Sequence, residues 1–211
     1  MQCHLYDATY ELLHTARNTK ASCKGELEIE VRFGTIKGGQ WHASVPPNMH
    51  AHVCSSLRSF CGWVSHDNSI TEYLYYDHNI RLALSKTRRS AVVKNVLHST
   101  VLQMKGSNMA LKLCISEEVP YTSTMHLGPH RSYRAVSRSS FVYKNLFRYD
   151  LSHAVNMQLG KGYPEYQYEL EIETLKTHER KIDHLAMSLE AKIRDIIQMC
   201  DLSRDSVFTP F

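Results

Sequence analysis

From Glu26 to Phe33 the chain alternates strictly between ionic and apolar residues. In an extended strand Glu26, Glu28, Glu30 and Arg32 share one face, and Leu27, Ile29, Val31 and Phe33 share the other. Same-face neighbours lie about 6.8 Å apart, so three carboxylates in a row repel one another unless cations stand close by. The pattern returns late in the chain, where Glu169, Glu171 and Glu173 oppose Leu170 and Ile172. Two such strands side by side would gather a carboxylate cluster suited to a hard divalent metal.

The same partition runs through the middle of the chain. Arg148, Asp150 and Ser152 oppose Phe147, Tyr149 and Leu151; Lys112, Ser116 and Glu118 oppose Leu111, Leu113 and Ile115. Arg81 opposes Leu82 and Leu84, Lys94 opposes Val93 and Leu97, and Arg134 and Arg138 share a face with Val136. Strands are expected over 25–34, 70–77, 80–86, 91–100, 109–119, 133–143, 146–155 and 166–175, with Asp77-His78-Asn79 turning the second into the third. Helical spacing appears at 6–20, at 47–64 with Met49, Val53, Leu57, Phe60 and Cys61 on one face, and at 176–200 with Ile182, Leu185, Leu189, Ile193, Ile196 and Ile197 aligned. Pro210 falls in a short tail. An open sheet would leave the ionic face in water, which is the ordinary fate of a single Glu-rich strand. Closing the sheet instead lines a lumen with acid from some strands and base from others. The expected fold is therefore α+β: a closed antiparallel eight-stranded barrel, a tunnel, with helices packed on its outside and one domain spanning 1–211.

Composition narrows this reading only slightly. The 211 residues are 43% hydrophobic, enough for a sizeable core, and no stretch approaches the roughly 20 apolar residues of a membrane helix. No membrane role is expected. The N-terminus lacks the basic-then-apolar layout of a signal peptide, which points to an intracellular protein. Six cysteines without a Cys-x-x-Cys pair suggest reduced thiols, and the 13 histidines show no ligand spacing. The net charge of +4 permits an anionic partner without requiring one. Glu26 reads as a strand-end surface residue, Arg88 and Arg89 as a solvated loop pair, and Tyr73, Tyr75 and Tyr76 as strand packing.

At the two acidic strands a family resemblance enters. Glu28-Ile29-Glu30-Val31-Arg32 resembles the opening motif of the triphosphate tunnel metalloenzymes, and Glu169-Leu170-Glu171-Ile172-Glu173 resembles their closing strand. Arg134-Ala135-Val136-Ser137-Arg138 and Phe147-Arg148-Tyr149-Asp150-Leu151-Ser152 are similar to the basic and Asp-bearing strands of the fungal, protozoal and viral RNA 5'-triphosphatases of mRNA capping. The chain departs from that pattern at Val136, where a Lys is usual.

The resemblance implies a metal-dependent enzyme that removes the γ-phosphate of nascent RNA. It makes Glu28, Glu30 and Glu173 direct ligands of Mg²⁺ or Mn²⁺, with Glu169 and Glu171 as further acidic partners of the metal. Arg81, Lys94, Arg134 and Arg138 would stabilise the transferred phosphoryl group, with Arg32, Lys112 and Ser152 also touching substrate. Asp150 and Glu118 would orient these cations, and either Glu171 or Glu118 would position the attacking water. The partners implied are a 5'-triphosphate RNA end, nucleoside triphosphates and a guanylyltransferase. The location would be the nucleus, or a cytoplasmic viral factory for a viral chain. Two other readings stay open: a tripolyphosphatase or nucleoside triphosphatase of the same fold, and a non-catalytic polyanion-binding module.

Overall fold

A computed structural model of the chain describes residues 4–122, 127–158, 160, 162–175, 181–202 and 205–211. Its elements in order are α1 (Leu5–Lys20), β1 (Glu26–Lys37), β2 (Gln40–His42), α2 (Pro47–Ser59), β3 (Ser65–Tyr75), β4 (Ile80–Ser85), β5 (Arg89–Met104), β6 (Met109–Pro120), β7 (Ser132–Tyr143), β8 (Phe147–Gln158), β9 (Glu165–Thr174), α3 (Ile182–Met199) and β10 (Phe208–Pro210). Strands β5-β4-β3-β7-β8-β9-β1 pair in that order, and β6 joins β1 to β5, which closes an eight-stranded antiparallel barrel. β2 hangs from β1 as a hairpin, and β10 pairs with the far end of β5.

Closure follows from the alternation. On β1, Ile29, Val31 and Phe33 are at most 2% exposed and point outward into the core, while the ionic residues between them face the lumen. That core is a sheet-on-helix layer. The apolar stripe of α3, Leu185, Leu189, Ile193 and Ile196, is fully buried, and α1 and α2 pack against α3 and touch β1, β6 and β9. The helices cover one side of the barrel. On the other side β3 reads SHDNSITEYLY, a mostly polar sequence, and most of its outward residues stay in water, Ile70 included, with Leu74 part-buried and His66 stacked on Phe141. The expected apolar exterior against helices therefore holds for half the circumference.

Several boundaries shift. α2 stops at Ser59 rather than Val64: Phe60 is extended and, with Cys61, lies off the helix and exposed. Trp63 explains the stop, since its indole N–H donates to the Leu57 carbonyl at 2.7 Å and its ring packs on Phe141 and Tyr149. β3 starts five residues early and ends at Tyr75, and β5 runs on past Thr100 through a bulge between Val96 and His98. Pro210 closes a short edge strand, a place where a missing N–H costs no ladder bond. The start expected for the last helix, 176–180, lies outside the described residues. Glu26 and Arg88 sit exposed, as expected, and Arg89 is exposed too but opens β5 instead of lying in a loop.

Gly34 fixes one end of the tunnel. A Cβ there would stand 2.3 Å from the His42 carbonyl oxygen and 2.9 Å from Trp41 Nε1, so only glycine lets the hairpin fold Trp41 over β1. Because backbone cannot retreat as a flexible side chain would, Gly34→Ala is expected to cost about 1–3 kcal/mol. Urea unfolding of the purified variant measures it, and an unchanged midpoint would show that the hairpin is not packed in this way.

Candidate active site

β1 and β9 put the two acidic rows side by side, with Glu30 opposite Glu173 and Arg32 opposite Glu171. β8 follows with Arg148 opposite Glu173 and Asp150 opposite Glu171, and β7 sets Arg138 against Ser152. The lumen residues of all these strands enclose a cavity of about 220 Å³. Six carboxylates line it, Glu28, Glu30, Asp150, Glu169, Glu171 and Glu173, against five cations, Arg32, Arg81, Lys94, Arg134 and Arg138. Tyr73, Tyr75 and Val136 complete the wall.

Ion pairs organise the cavity in two tiers. In one, Arg32 Nη2 donates to Glu169 at 3.0 Å and Arg134 Nη2 to the other oxygen of the same carboxylate, while Arg32 Nε stands 2.6 Å from Glu171. In the other, Asp150 accepts from Arg138 at 3.1 Å, from Arg148 at 2.9 Å and from the Ser140 hydroxyl at 2.6 Å, and Arg148 reaches on to Glu173. A third cluster forms where β4, β5, β6 and β1 meet: Arg81 pairs with Glu118 at 2.5 Å, and Lys94 pairs with Glu28 and with Glu118 at 3.6 Å. The Arg81 guanidinium also lies 5.2 Å from the centre of the Tyr73 ring.

These surroundings separate the acids. Burial alone would raise Glu171, but Arg32 and Arg138 outweigh it and hold its carboxyl below the ordinary range. Burial and then the nearby Glu171 charge push Glu30 up to about 7, and Lys94 and Arg32 offset this only in part. Glu173 is likewise pushed up to about 7 by burial and by Glu28, against the pull of Arg148. Burial opposes the charge on Lys94, yet Glu30 and Glu28 raise its pKa.

Of the residues expected in the site, Glu28, Glu30, Arg32, Arg81, Lys94, Arg134, Arg138, Asp150, Glu169, Glu171 and Glu173 line the cavity. Three do not. Glu118 stands behind Arg81 and Lys94 as their counter-ion. Ser152 is fully buried and accepts from Arg138 Nε at 3.0 Å, so it braces that side chain. Lys112 sits at the Trp41 end with its ammonium 5.1 Å from the indole centre. Tyr73 and Tyr75, read from the sequence as strand packing, face the lumen, because Thr71, Tyr73 and Tyr75 share parity with the lumen residues Val136 and Arg134 across the β3–β7 ladder. Arg148 and Trp41 were absent from the expected set. Arg148 was visible as the lumen-face neighbour of Asp150, whereas nothing local to Trp41 announces its place over the barrel end. Val136 does point inward, buried between Arg134 and Arg138 as its parity demands.

A metal is implied by the acidic strands, and the donor set suits one. Glu28, Glu30 and Glu173 offer only carboxylate oxygens, the preference of Mg²⁺ and Mn²⁺. Glu30 is 7% exposed and forms no ion pair among the described residues, a buried carboxyl group short of positive charge. As they stand, no three acidic, His or Cys side chains among the described residues form a ready cage, since Lys94 and Arg148 hold the other two carboxylates.

A scan against protein-family models finds no match, and neither does a sequence search of curated proteins. Solved structures do match. The RNA triphosphatase Pct1 of S. pombe is similar over 94% of this chain and 93% of its own, at 13% identity and a TM-score of 0.74. The same protein in complex with the Spt5 CTD matches over 95% and 91%, at 14% identity and a TM-score of 0.67. The RNA triphosphatase domain of the trifunctional mimivirus mRNA capping enzyme matches over 93% and 97%, at 17% identity and a TM-score of 0.59. This chain thus has the triphosphate tunnel fold of those proteins, in agreement with the resemblance carried by its strands.

The raised carboxyls make a stability test. A group whose folded pKa lies above its unfolded value gives its full stabilisation below the unfolded pKa and loses it as pH climbs through the folded one. For Glu30 and Glu173 that window runs from about 4.5 to about 7. Metal-free protein is therefore expected to lose up to a few kcal/mol across it relative to Glu30→Gln, whose neutral side chain cannot titrate. Thermal unfolding from pH 4.5 to 7.5 reads the difference, and parallel curves for the two proteins would reject it. Asp150→Ala is expected to cost about 1–3 kcal/mol, because it removes the anion shared by the part-buried Arg138 and Arg148, which keep Glu171 and Glu173 as partners. Chemical denaturation of the variant measures that loss.

Proposed function

We propose that the chain is a divalent-metal-dependent RNA 5'-triphosphatase that releases the γ-phosphate of a nascent transcript and leaves a 5'-diphosphate end. The observation that carries this reading is the cavity itself, where an acidic row and a set of guanidinium and ammonium groups face each other inside a closed barrel. Phosphoryl transfer asks little covalent chemistry of the protein and much positioning and charge stabilisation, which such a lumen supplies. Glu28, Glu30 and Glu173 would hold Mg²⁺ or Mn²⁺, which when bound neutralises charge on the phosphoryl oxygens. Arg81, Lys94, Arg134 and Arg138 hold the triphosphate in line and stabilise the charge that spreads over the transferred group. Glu171, kept ionised by Arg32 and Arg138 and placed in the lumen, accepts a hydrogen bond from the attacking water and orients it. Glu118, outside the cavity wall, supports Arg81 and Lys94. The product diphosphate is the substrate form for guanylyl transfer, so a guanylyltransferase is the expected partner and the site of transcription the expected location.

Support comes from the shared fold with proteins described as RNA triphosphatases, one of them a domain of a capping enzyme. Phosphate release from γ-labelled triphosphate-ended RNA, with ATP and tripolyphosphate alongside, is the deciding experiment. Glu28→Ala, Glu30→Ala and Glu173→Ala are each expected to lower metal-dependent release by about 100-fold or more while the protein stays folded. Arg134→Ala and Arg138→Ala are expected to weaken triphosphate binding, with Lys an incomplete substitute for a forked donor. Wild-type turnover in a folded carboxylate variant would remove that residue from the site, and faster release from tripolyphosphate than from RNA would move the substrate to the small molecule.

A further inference from the structure

We propose that Tyr75 is a specificity-determining residue that stacks the first nucleoside of the substrate, so that the cavity favours a triphosphate carried on a nucleoside over bare tripolyphosphate. The proposal deepens the phosphohydrolase reading and rests on it. Three observations carry it. β3 lies four strands from β1 in either direction around the barrel, so its lumen residues face the acidic row across the cavity. The wall that β3 shares with β4 and β7 also carries cations that line the cavity, Arg81 on β4 and Arg134 and Arg138 on β7. A chain of phosphates that starts at the acidic row therefore meets these cations across the cavity, on either side of β3.

Arg81 and Arg134 flank Tyr73, which is opposite Arg134 in the β3–β7 ladder and carries Arg81 over its ring. Tyr73 is thereby occupied, as a support for Arg81. Tyr75 is the next lumen residue along the strand, half-buried, opposite Arg81 in register, with its ring centre 6.4 Å from that of Tyr73. It is the last residue of β3, beside the turn where Tyr76 N–H donates to the Ile80 carbonyl, and so it stands at the rim. A nucleoside following its phosphates past Arg81 and Arg134 meets an aromatic face there, and stacking accepts any base because every base has a π-face. Val136, opposite Thr71 and beside Ala154, adds no charge to this wall.

The test is equilibrium binding of ATP and of inorganic tripolyphosphate to the full chain, with Ca²⁺ as a hard cation of the same donor preference. Tyr75→Leu is expected to lower the ratio of ATP affinity to tripolyphosphate affinity about tenfold, and Tyr75→Phe to keep the wild-type ratio. In Tyr75→Trp the indole reports directly, and ATP should quench its fluorescence where tripolyphosphate does not. A Leu variant that keeps the ratio, a Trp variant quenched equally by both ligands, or a wild-type protein without preference for ATP would each overturn the proposal. Phosphate release by the wild type, read in parallel, separates the two ideas. Turnover without nucleoside preference rejects the stacking role alone, and selective binding without turnover rejects the phosphohydrolase. Binding of neither ligand rejects both.

Discussion

The barrel can bury its ionic face because acid and base are paired across the lumen. Glu169 is 2% exposed and would be strongly disfavoured as a lone ion, yet Arg32 and Arg134 hold its two oxygens from either side. Asp150 is 3% exposed at its side chain and stands in the same relation to Arg138 and Arg148. Each anion is shared by two guanidinium groups on different strands, so the pairs tie β1, β7, β8 and β9 together through the lumen as the ladders do through the wall. Such a lattice contributes less to net stability than its Coulomb energy suggests, because every member was taken out of water. What it secures is register. A slip of one residue would turn the ionic face of a strand into the apolar layer beneath α3 and break both systems at once.

This constraint also decides where the helices go. Strands β1, β6, β8 and β9 carry large outward aliphatic and aromatic residues that must be covered, and α1 and α3 supply an apolar layer for them. β3 has polar residues on both faces and needs no cover, which leaves that wall of the tunnel thin and open to solvent. The cavity is thus built on a rigid, helix-backed acidic side and a solvent-backed aromatic and basic side.

The period-two runs of Glu28-Glu30-Arg32, Glu169-Glu171-Glu173 and Arg148-Asp150-Ser152 were legible in the sequence because each residue's face follows from parity alone. Parity also placed Val136 in the lumen, against its apolar character. Where parity was trusted less than residue type, the sequence misled: Tyr73 and Tyr75 look like packing residues, but they lie on the lumen face, opposite Ile70, Glu72 and Leu74. Depth along the tunnel was not legible. Lys112 and Glu118 have the correct parity and still miss the cavity wall, since depth depends on the stagger between strands, which no single strand encodes. β2, β10 and Trp41 escaped for a related reason: three-residue strands and a folded-over indole are set by long-range partners, and for β2 and Trp41 it is Gly34 that makes the room.

The ion pairs of the lumen bear on how the proposed site would fill. Lys94 is held by Glu28 and Arg148 by Glu173, so two of the carboxylates assigned to the metal are engaged by side chains suited to phosphate or its neighbours. Releasing Lys94 toward an anion strands Glu28, and withdrawing Glu28 toward a cation strands Lys94. In a buried site either half-step alone is costly. A divalent cation arriving with a polyphosphate compensates both groups together, so that each ion pair is exchanged for two new ones and none is left open. Under the proposed function the two ligands are therefore linked in free energy: each raises the affinity of the other by the same factor. Glu30, already short of positive charge, is the member of the lattice with the most to gain from that exchange.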